Sequence, residues 1–159
     1  MNRNIEFGNE KRHYPAFDII GFTKIVQSGG KLYEETREDG RWEVLKTMNT
    51  RNKNIYGCAS FDSECAPDSY RYTIGVAHDD NYSQNPLYSS QMFSLHVKES
   101  DWIVFTLDFA TDYRLFWQND PYKMIGDLGY NFNTAVGLHI DVYEATYNGH
   151  EMEFWMPVE

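Results

Sequence analysis

The last two apolar runs of the chain constrain its fold more than any other feature. Leu138 to Tyr143 reads Leu-His-Ile-Asp-Val-Tyr, and Glu151 to Val158 reads Glu-Met-Glu-Phe-Trp-Met-Pro-Val, with Asn148 and Gly149 in a turn-like segment between them. Both alternate with the two-residue period of a β-strand. One parity is apolar: Leu138, Ile140 and Val142, then Met152, Phe154 and Met156. The other carries His139, Asp141 and Tyr143, then Glu151, Glu153 and Trp155. A sheet of this pattern buries one face and presents acids beside aromatic rings on the other, which suits an aromatic or cationic small molecule. A plain solvated face of an antiparallel sheet produces the same alternation, and Tyr and Trp are good strand formers in their own right.

Upstream, Met1 to Arg12 is polar and reads as loose chain. Tyr14 to Val26 reads as a first strand, closed by Ser28-Gly29-Gly30. Lys31 to Thr50 reads as helical, with Trp42, Leu45 and Met48 on one stripe and Gly40 as a break. Ile55 to Phe61 and Tyr70 to His78 read as strands. Asp79 to Ser90 is rich in Asp, Asn, Ser, Tyr and Pro and reads as a loop, with a lid or a midpoint connection as alternatives. Phe93 to Val97 and Trp102 to Phe109 are further strands, and Asp112 to Gln118 is helical. Asp120-Pro121 supplies the N-cap and first position of another helix, which Gly129 ends.

The order strand, helix, strand, strand therefore occurs twice. Gly21-Phe22-Thr23-Lys24 echoes Val104-Phe105-Thr106-Leu107, and Ile74-Gly75-Val76 echoes Met156-Pro157-Val158. Trp42 and Trp117 occupy similar helices in this reading. The expected fold is α+β: an antiparallel sheet built from two repeated β-α-β-β halves, with both helices on one face and a groove between the halves as the ligand site. The 159 residues suit one domain spanning 1–159, with 1–12 flexible.

The net charge of -10, with no Lys/Arg cluster beyond Lys11, Arg12 and His13, argues against direct nucleic-acid binding. It favours cationic ligands through its field, although acidity also simply confers solubility. The two cysteines, Cys58 and Cys65, match no zinc pattern, and free thiols in a reducing compartment are the expectation. No signal peptide and no bilayer-spanning run is visible, which points to the cytoplasm without a membrane partner.

The residues quoted above resemble the GyrI-like small-molecule-binding family, also described as SOUL-like or regulatory-factor effector-binding domains. It includes the effector-binding domains of AraC-type and multidrug-responsive MerR-type regulators and standalone proteins such as integron-cassette products. Glu153-Phe154-Trp155-Met156-Pro157-Val158 looks like the family's acid, any residue, aromatic, any residue, Pro-Val ending. Ile140-Asp141-Val142-Tyr143 looks like its apolar, acid, any residue, Tyr strand. Trp102 to Phe105 looks like its central strand, Leu128-Gly129-Tyr130 like the end of its second helix, and Tyr70 to Val76 like the Tyr-rich strand of its first half. Three departures bear on ligand geometry: Asp replaces the more frequent Glu at 141, the Pro before that strand is missing, and Ala110-Thr111-Asp112 replaces the glycine after the central strand. No helix-turn-helix precedes the domain, so a relative of those regulators would be the sensor half alone.

The resemblance implies a pocket on the open face of the sheet, floored by an acid and walled by rings. Glu153 is the first choice for that acid and Asp141 the second; a rim acid bonded to solvent or to Arg71 is the alternative for Glu153. Trp155, Tyr143, Tyr72 and Trp102 are the wall candidates, with core packing equally open for Trp102. Trp42 and Trp117 are expected in the core. His139 shares the parity of Asp141 and reads as a solvated strand histidine. No two histidines sit at metal-ligand spacing, so neither a metal nor a cofactor is expected.

The implied function is a standalone, non-catalytic protein that binds amphipathic, cationic aromatic compounds. The alternative is a hydrolase of reactive cyclopropanoid genotoxins, with Glu153 orienting or activating water. A protein partner, suggested by the gyrase-inhibition origin of the family name, ranks third. The oligomeric state is not readable from the sequence.

Overall fold

The computed structural model describes residues 7–27, 29–48, 54–60, 68–78, 92–144 and 151–159. The loop expected at 79–90, the Asn148-Gly149 turn and Cys65 lie outside the described residues. The elements run β1 (Gly8–Tyr14), β2 (Phe17–Val26), α1 (Gly29–Glu38), α2 (Arg41–Met48), β3 (Asn54–Ser60), β4 (Tyr70–His78), β5 (Met92–Val97), β6 (Ser100–Asp108), α3 (Phe109–Gln118), α4 (Pro121–Asp127), β7 (Leu138–Glu144) and β8 (Glu151–Val158). Among the described residues no helix is long and apolar enough to cross a membrane.

The strands form one antiparallel sheet in the order β1-β6-β8-β7-β3-β4-β2-β5. The duplication is plain in that order. β2, β4 and β3 make one half, and β6, β8 and β7 the other, meeting where β3 pairs with β7. The outermost strands are exchanged: β1 precedes β2 in sequence but pairs with β6, while β5 precedes β6 but pairs with β2. Phe22 and Phe105, matched by the sequence echo, are both buried under the helices.

Residues 8–14 are not loose chain. Each pairs with β6 from Gly8↔Thr106 to Tyr14↔Ser100. Their polar composition is that of an edge strand, where charge discourages pairing with other chains. The helices break where expected. Gly40 adopts φ 89° between α1 and α2, a left-handed conformation that glycine tolerates without strain. The Asp108 carboxylate caps α3 by accepting from the amides of Ala110 and Thr111 at 2.9 and 3.2 Å. Asp120 caps α4 ahead of Pro121. Trp42 and Trp117 do not occupy equivalent helices: the first lies on α2, the second helix of its half, and the second on α3, the first of its half.

All four helices pack on one face, where Leu32, Trp42, Leu45, Phe116 and Ile125 share a core with Phe22, Phe105 and Phe154. The other face is also buried: Val97, Trp102, Val104 and Ile140 are each 0% exposed, although they belong to a cluster without helical members. Two short links explain this. Pro15-Ala16 joins β1 to β2, and Lys98-Glu99 joins β5 to β6. Each joins strands six places apart in the sheet, about 29 Å if the sheet were flat. Two linking residues span no more than about 11 Å between the strand ends. The sheet therefore curls until its two margins approach, and the helix-free face becomes the inside of the curl. The stack of Tyr14 on Trp155, with centroids 4.5 Å apart and planes 9° from parallel, lies at this closed end.

Within the first half, Gly21 and Gly75 face each other across β2 and β4. A Cβ at either position would run into the opposing backbone, at the Ile74 and Ile20 carbonyls respectively.

Candidate ligand-binding site

The junction of the halves places an acid beneath a cluster of rings. Asp141 on β7 pairs with Gly57 on β3 and shares the helix-facing side with Tyr143 and Tyr72. Gly57 has no side chain to obstruct this surface, and a Cβ there would collide with the Tyr72 hydroxyl. The Tyr72 ring can thus lie across β3, where its hydroxyl donates to Asp141 Oδ2 at 3.1 Å. Oδ1 has no hydrogen-bond partner among the described residues. Asp141 is 3% exposed. Burial pushes its carboxyl from the usual range up to about 7, and the neighbouring Tyr72 and Tyr143 hydroxyls oppose that rise without cancelling it.

Rings from both halves meet above this acid. Tyr143 lies 5.1 Å from Tyr33 of α1, 6.3 Å from Trp42 of α2 and 6.2 Å from Phe109 of α3. Tyr33 and Phe109 bridge the halves directly at 6.2 Å, and Tyr113 packs on Phe109 at 4.7 Å. Tyr33, Phe109 and Tyr113 are only partly buried. The Arg37 guanidinium stands over the Trp42 and Tyr33 rings at 4.7 and 5.8 Å, so a cation already sits on the outside of the cluster.

No family model matches the chain, and neither does any curated protein. Solved structures do share its architecture. SAV2435 bound to tetraphenylphosphonium superposes with a TM-score of 0.72 at 15% identity, over 96% of this chain and 94% of that one. The C-terminal domain of EcmrR gives 0.62 at 12% identity, over 98% and 99%. A hydrolase from Listeria innocua gives 0.60 at 10% identity, over 97% and 93%. The chain has the GyrI-like fold.

In this GyrI-like fold the two candidate acids do not share a face. Pairing runs Ile140↔Trp155, Asp141↔Phe154 and Val142↔Glu153, so Asp141 is on the side of Phe154 and under the helices. Glu153 and Trp155 are on the inner side of the curl, as is the fully buried Trp102. The expectation of one polar face carrying both acids with Trp155 and Tyr143 is therefore corrected. Alternation fixes which residues of one strand lie together, but the phase between two strands depends on their register.

Glu153 is moreover already neutralised. Arg12 of β1 donates to both its oxygens, at 3.2 Å to Oε1 and 2.9 Å to Oε2, and the Trp155 indole N–H donates to Oε1 at 3.1 Å. Its partner is thus Arg12 rather than solvent or Arg71. His139 is also not solvated. It is buried among Trp117, Phe154 and Tyr122, with the Tyr122 hydroxyl 3.1 Å from Nδ1. Burial pulls its pKa down to about 4, leaving a neutral ring at neutral pH.

Tyr33, Phe109, Tyr113 and Gly57 join the arrangement without having been singled out in the sequence, as does Trp42, expected there only as core. The sequence signal for the rings was weak, because helical aromatics read as core. That for Gly57 was an isolated glycine inside a strand, which marks a close approach.

Proposed function

We propose that the protein binds amphipathic, cationic aromatic small molecules at the junction of its halves, in the cytoplasm, with Asp141 as the counter-charge and Tyr72, Tyr143, Tyr33, Trp42 and Phe109 as the ring cluster. One observation carries this reading: a buried carboxyl with an unpaired oxygen lies beneath rings supplied by both halves. Such a carboxyl is unfavourable when ionised and alone. An aromatic cation that enters by turning aside the partly buried Tyr33, Phe109 and Tyr113 restores its partner, and each ring it touches adds about 0.5–2 kcal/mol of cation–π attraction. The tetraphenylphosphonium found on SAV2435 is a compound of this class. Glu153, committed to Arg12 on the other face, has no part in this site.

Titration with tetraphenylphosphonium tests the proposal. Asp141→Asn is expected to weaken binding by about tenfold or more, the scale of one lost buried charge partner, while Glu153→Gln leaves it unchanged. Because the cation needs the ionised acid, affinity should climb as pH rises toward 7 and level off above it. Equal affinity in wild type and Asp141→Asn would refute the assignment.

A hydrolytic use of the same carboxyl has one observation in its favour. With a pKa of about 7, Asp141 exchanges its proton near neutrality, as a general acid or base requires. Product analysis after incubation with an electrophilic cyclopropanoid compound tests it: turnover above the buffer rate that disappears in Asp141→Asn is required.

A further inference from the structure

The closed end of the curl holds a separate cavity of about 180 Å³ on the inner face of the sheet, lined by Tyr14, Ala16, Phe17, Tyr56, Ala77 and Trp155 among others. It owes its existence to the exchanged strands. The Pro15-Ala16 link brings Tyr14, at the end of β1, and Phe17, at the start of β2, to one opening over Tyr56 of β3 and Trp155 of β8. The rings hold one another at set angles: Tyr14 is stacked on Trp155, Tyr56 meets Trp155 at 70° with centroids 5.8 Å apart, and Phe17 tilts against Tyr56 at 5.9 Å. Cavities in the mouths of barrel-like sheets are common ligand sites. An apolar void of about 150 Å³ is already enough for one benzene ring.

Charge and hydrogen bonding narrow the guest. The nearby ions are paired among themselves, Arg12 holding Glu153 through two hydrogen bonds and Glu10 through a further ion pair, so the opening offers no unpaired charge to a guest. The Tyr14 hydroxyl accepts from Arg12 Nη1 at 3.1 Å, which directs its own proton toward an acceptor. Tyr56 pairs with Val142 and its neighbour Gly57 with Asp141, so the Tyr56 and Asp141 side chains leave opposite faces of the sheet and this cavity is distinct from the Asp141 cluster.

We propose that this mouth is a second binding site, selective for neutral, flat aromatic compounds of one or two rings that carry a hydrogen-bond acceptor. The reading does not depend on the cationic site. Quinoline at pH 8 is a suitable probe, being two fused rings with a ring-nitrogen acceptor and no charge. In isothermal titration the wild type is expected to show saturable one-to-one binding. Ala16→Phe, an exposed change at the rim that does not threaten folding, should weaken it by about tenfold or more by filling the opening. Ala77→Leu should do the same from the floor, with its melting temperature recorded as a check on folding. Tyr14→Phe should weaken quinoline several-fold, and Asp141→Asn should leave it unchanged. No saturable binding, wild-type affinity in Ala16→Phe, or loss of binding in Asp141→Asn would each overturn the proposal. Wild-type affinity in Tyr14→Phe would overturn the acceptor preference.

Discussion

Gly21→Ala and Gly75→Ala are each expected to remove a large part of the stability of the fold. The methyl group added at 21 meets the Ile74 carbonyl and the Gly75 Cα, and the one added at 75 meets the Ile20 carbonyl and the Ile19 side chain. A crowded side chain can rotate away, whereas a crowded backbone can only separate. Separation would open the β2–β4 ladder, which runs from Asp18↔His78 to Val26↔Tyr70 and carries the first half. Overpacking that side chains absorb costs about 1–3 kcal/mol, so roughly 3 kcal/mol or more is the expectation here. Against a total of about 5–15 kcal/mol for a domain this is severe. Gly126 provides the control, since nothing lies within 4 Å of a Cβ there; inside α4, Gly126→Ala should stabilise by about 0.5–1 kcal/mol. Urea midpoints of the three variants settle the matter, and a Gly21→Ala protein within 1 kcal/mol of wild type, on the order of an ordinary surface change, would sink the close-approach argument.

The second large effect is a change in pH profile. Asp141 titrates at about 7 in the folded chain against 3.8 ordinarily, so the native state holds its proton over that interval and stability falls as pH rises from 3.8 to 7. His139 runs the other way. Its folded value of about 4 lies below the ordinary 6.5, so its contribution is intact above 6.5 and is lost as pH falls toward 4. In the wild type the two slopes oppose each other and give a nearly level profile between those limits. Asp141→Asn removes one of them. The variant should gain stability between pH 4 and 6.5, and at pH 8 it should exceed wild type by a few kcal/mol, on the order of the roughly 1.4 kcal/mol that each pH unit represents. Denaturant unfolding from pH 4 to 8 measures this directly. The residue proposed to hold the ligand is thus expected to weaken the fold at neutral pH, a trade found where function requires a buried charge. An Asp141→Asn protein no more stable than wild type at pH 8 would mean that the carboxyl is not buried as an ion there.

How far the sequence was legible varies with the kind of information. The two closing strands were readable almost to the residue, 138–143 and 151–158 against 138–144 and 151–158 observed, because alternation is a local signal. The breaks at Gly40 and Asp120-Pro121 were readable for the same reason, since each depends on a few neighbouring residues. The phase between β7 and β8 was not. It rests on the pairing Asp141↔Phe154, and hydrophobicity could not choose it because both sides of the sheet are covered. In a sheet with one wet face, an acid such as Asp141 marks the outside; here it is buried beneath the helices. Residues 8–14 misled because a charged edge strand and a loose terminus have the same composition. Arg12 as the partner of Glu153 lies 141 positions away in sequence and belongs to a strand exchange that no local pattern announces.

That exchange also shapes how the polypeptide must come together. A nascent chain that has reached β4 already contains β1, but the neighbour of β1 has not yet been made; β5, when it emerges, must travel back to the first half. Each repeat thus leaves one strand without its neighbour until its sibling is present, and a chain severed between β4 and β5 is expected to give two fragments that associate. Completing the sheet therefore waits on distant contacts, which places this protein among the slower folders for its size.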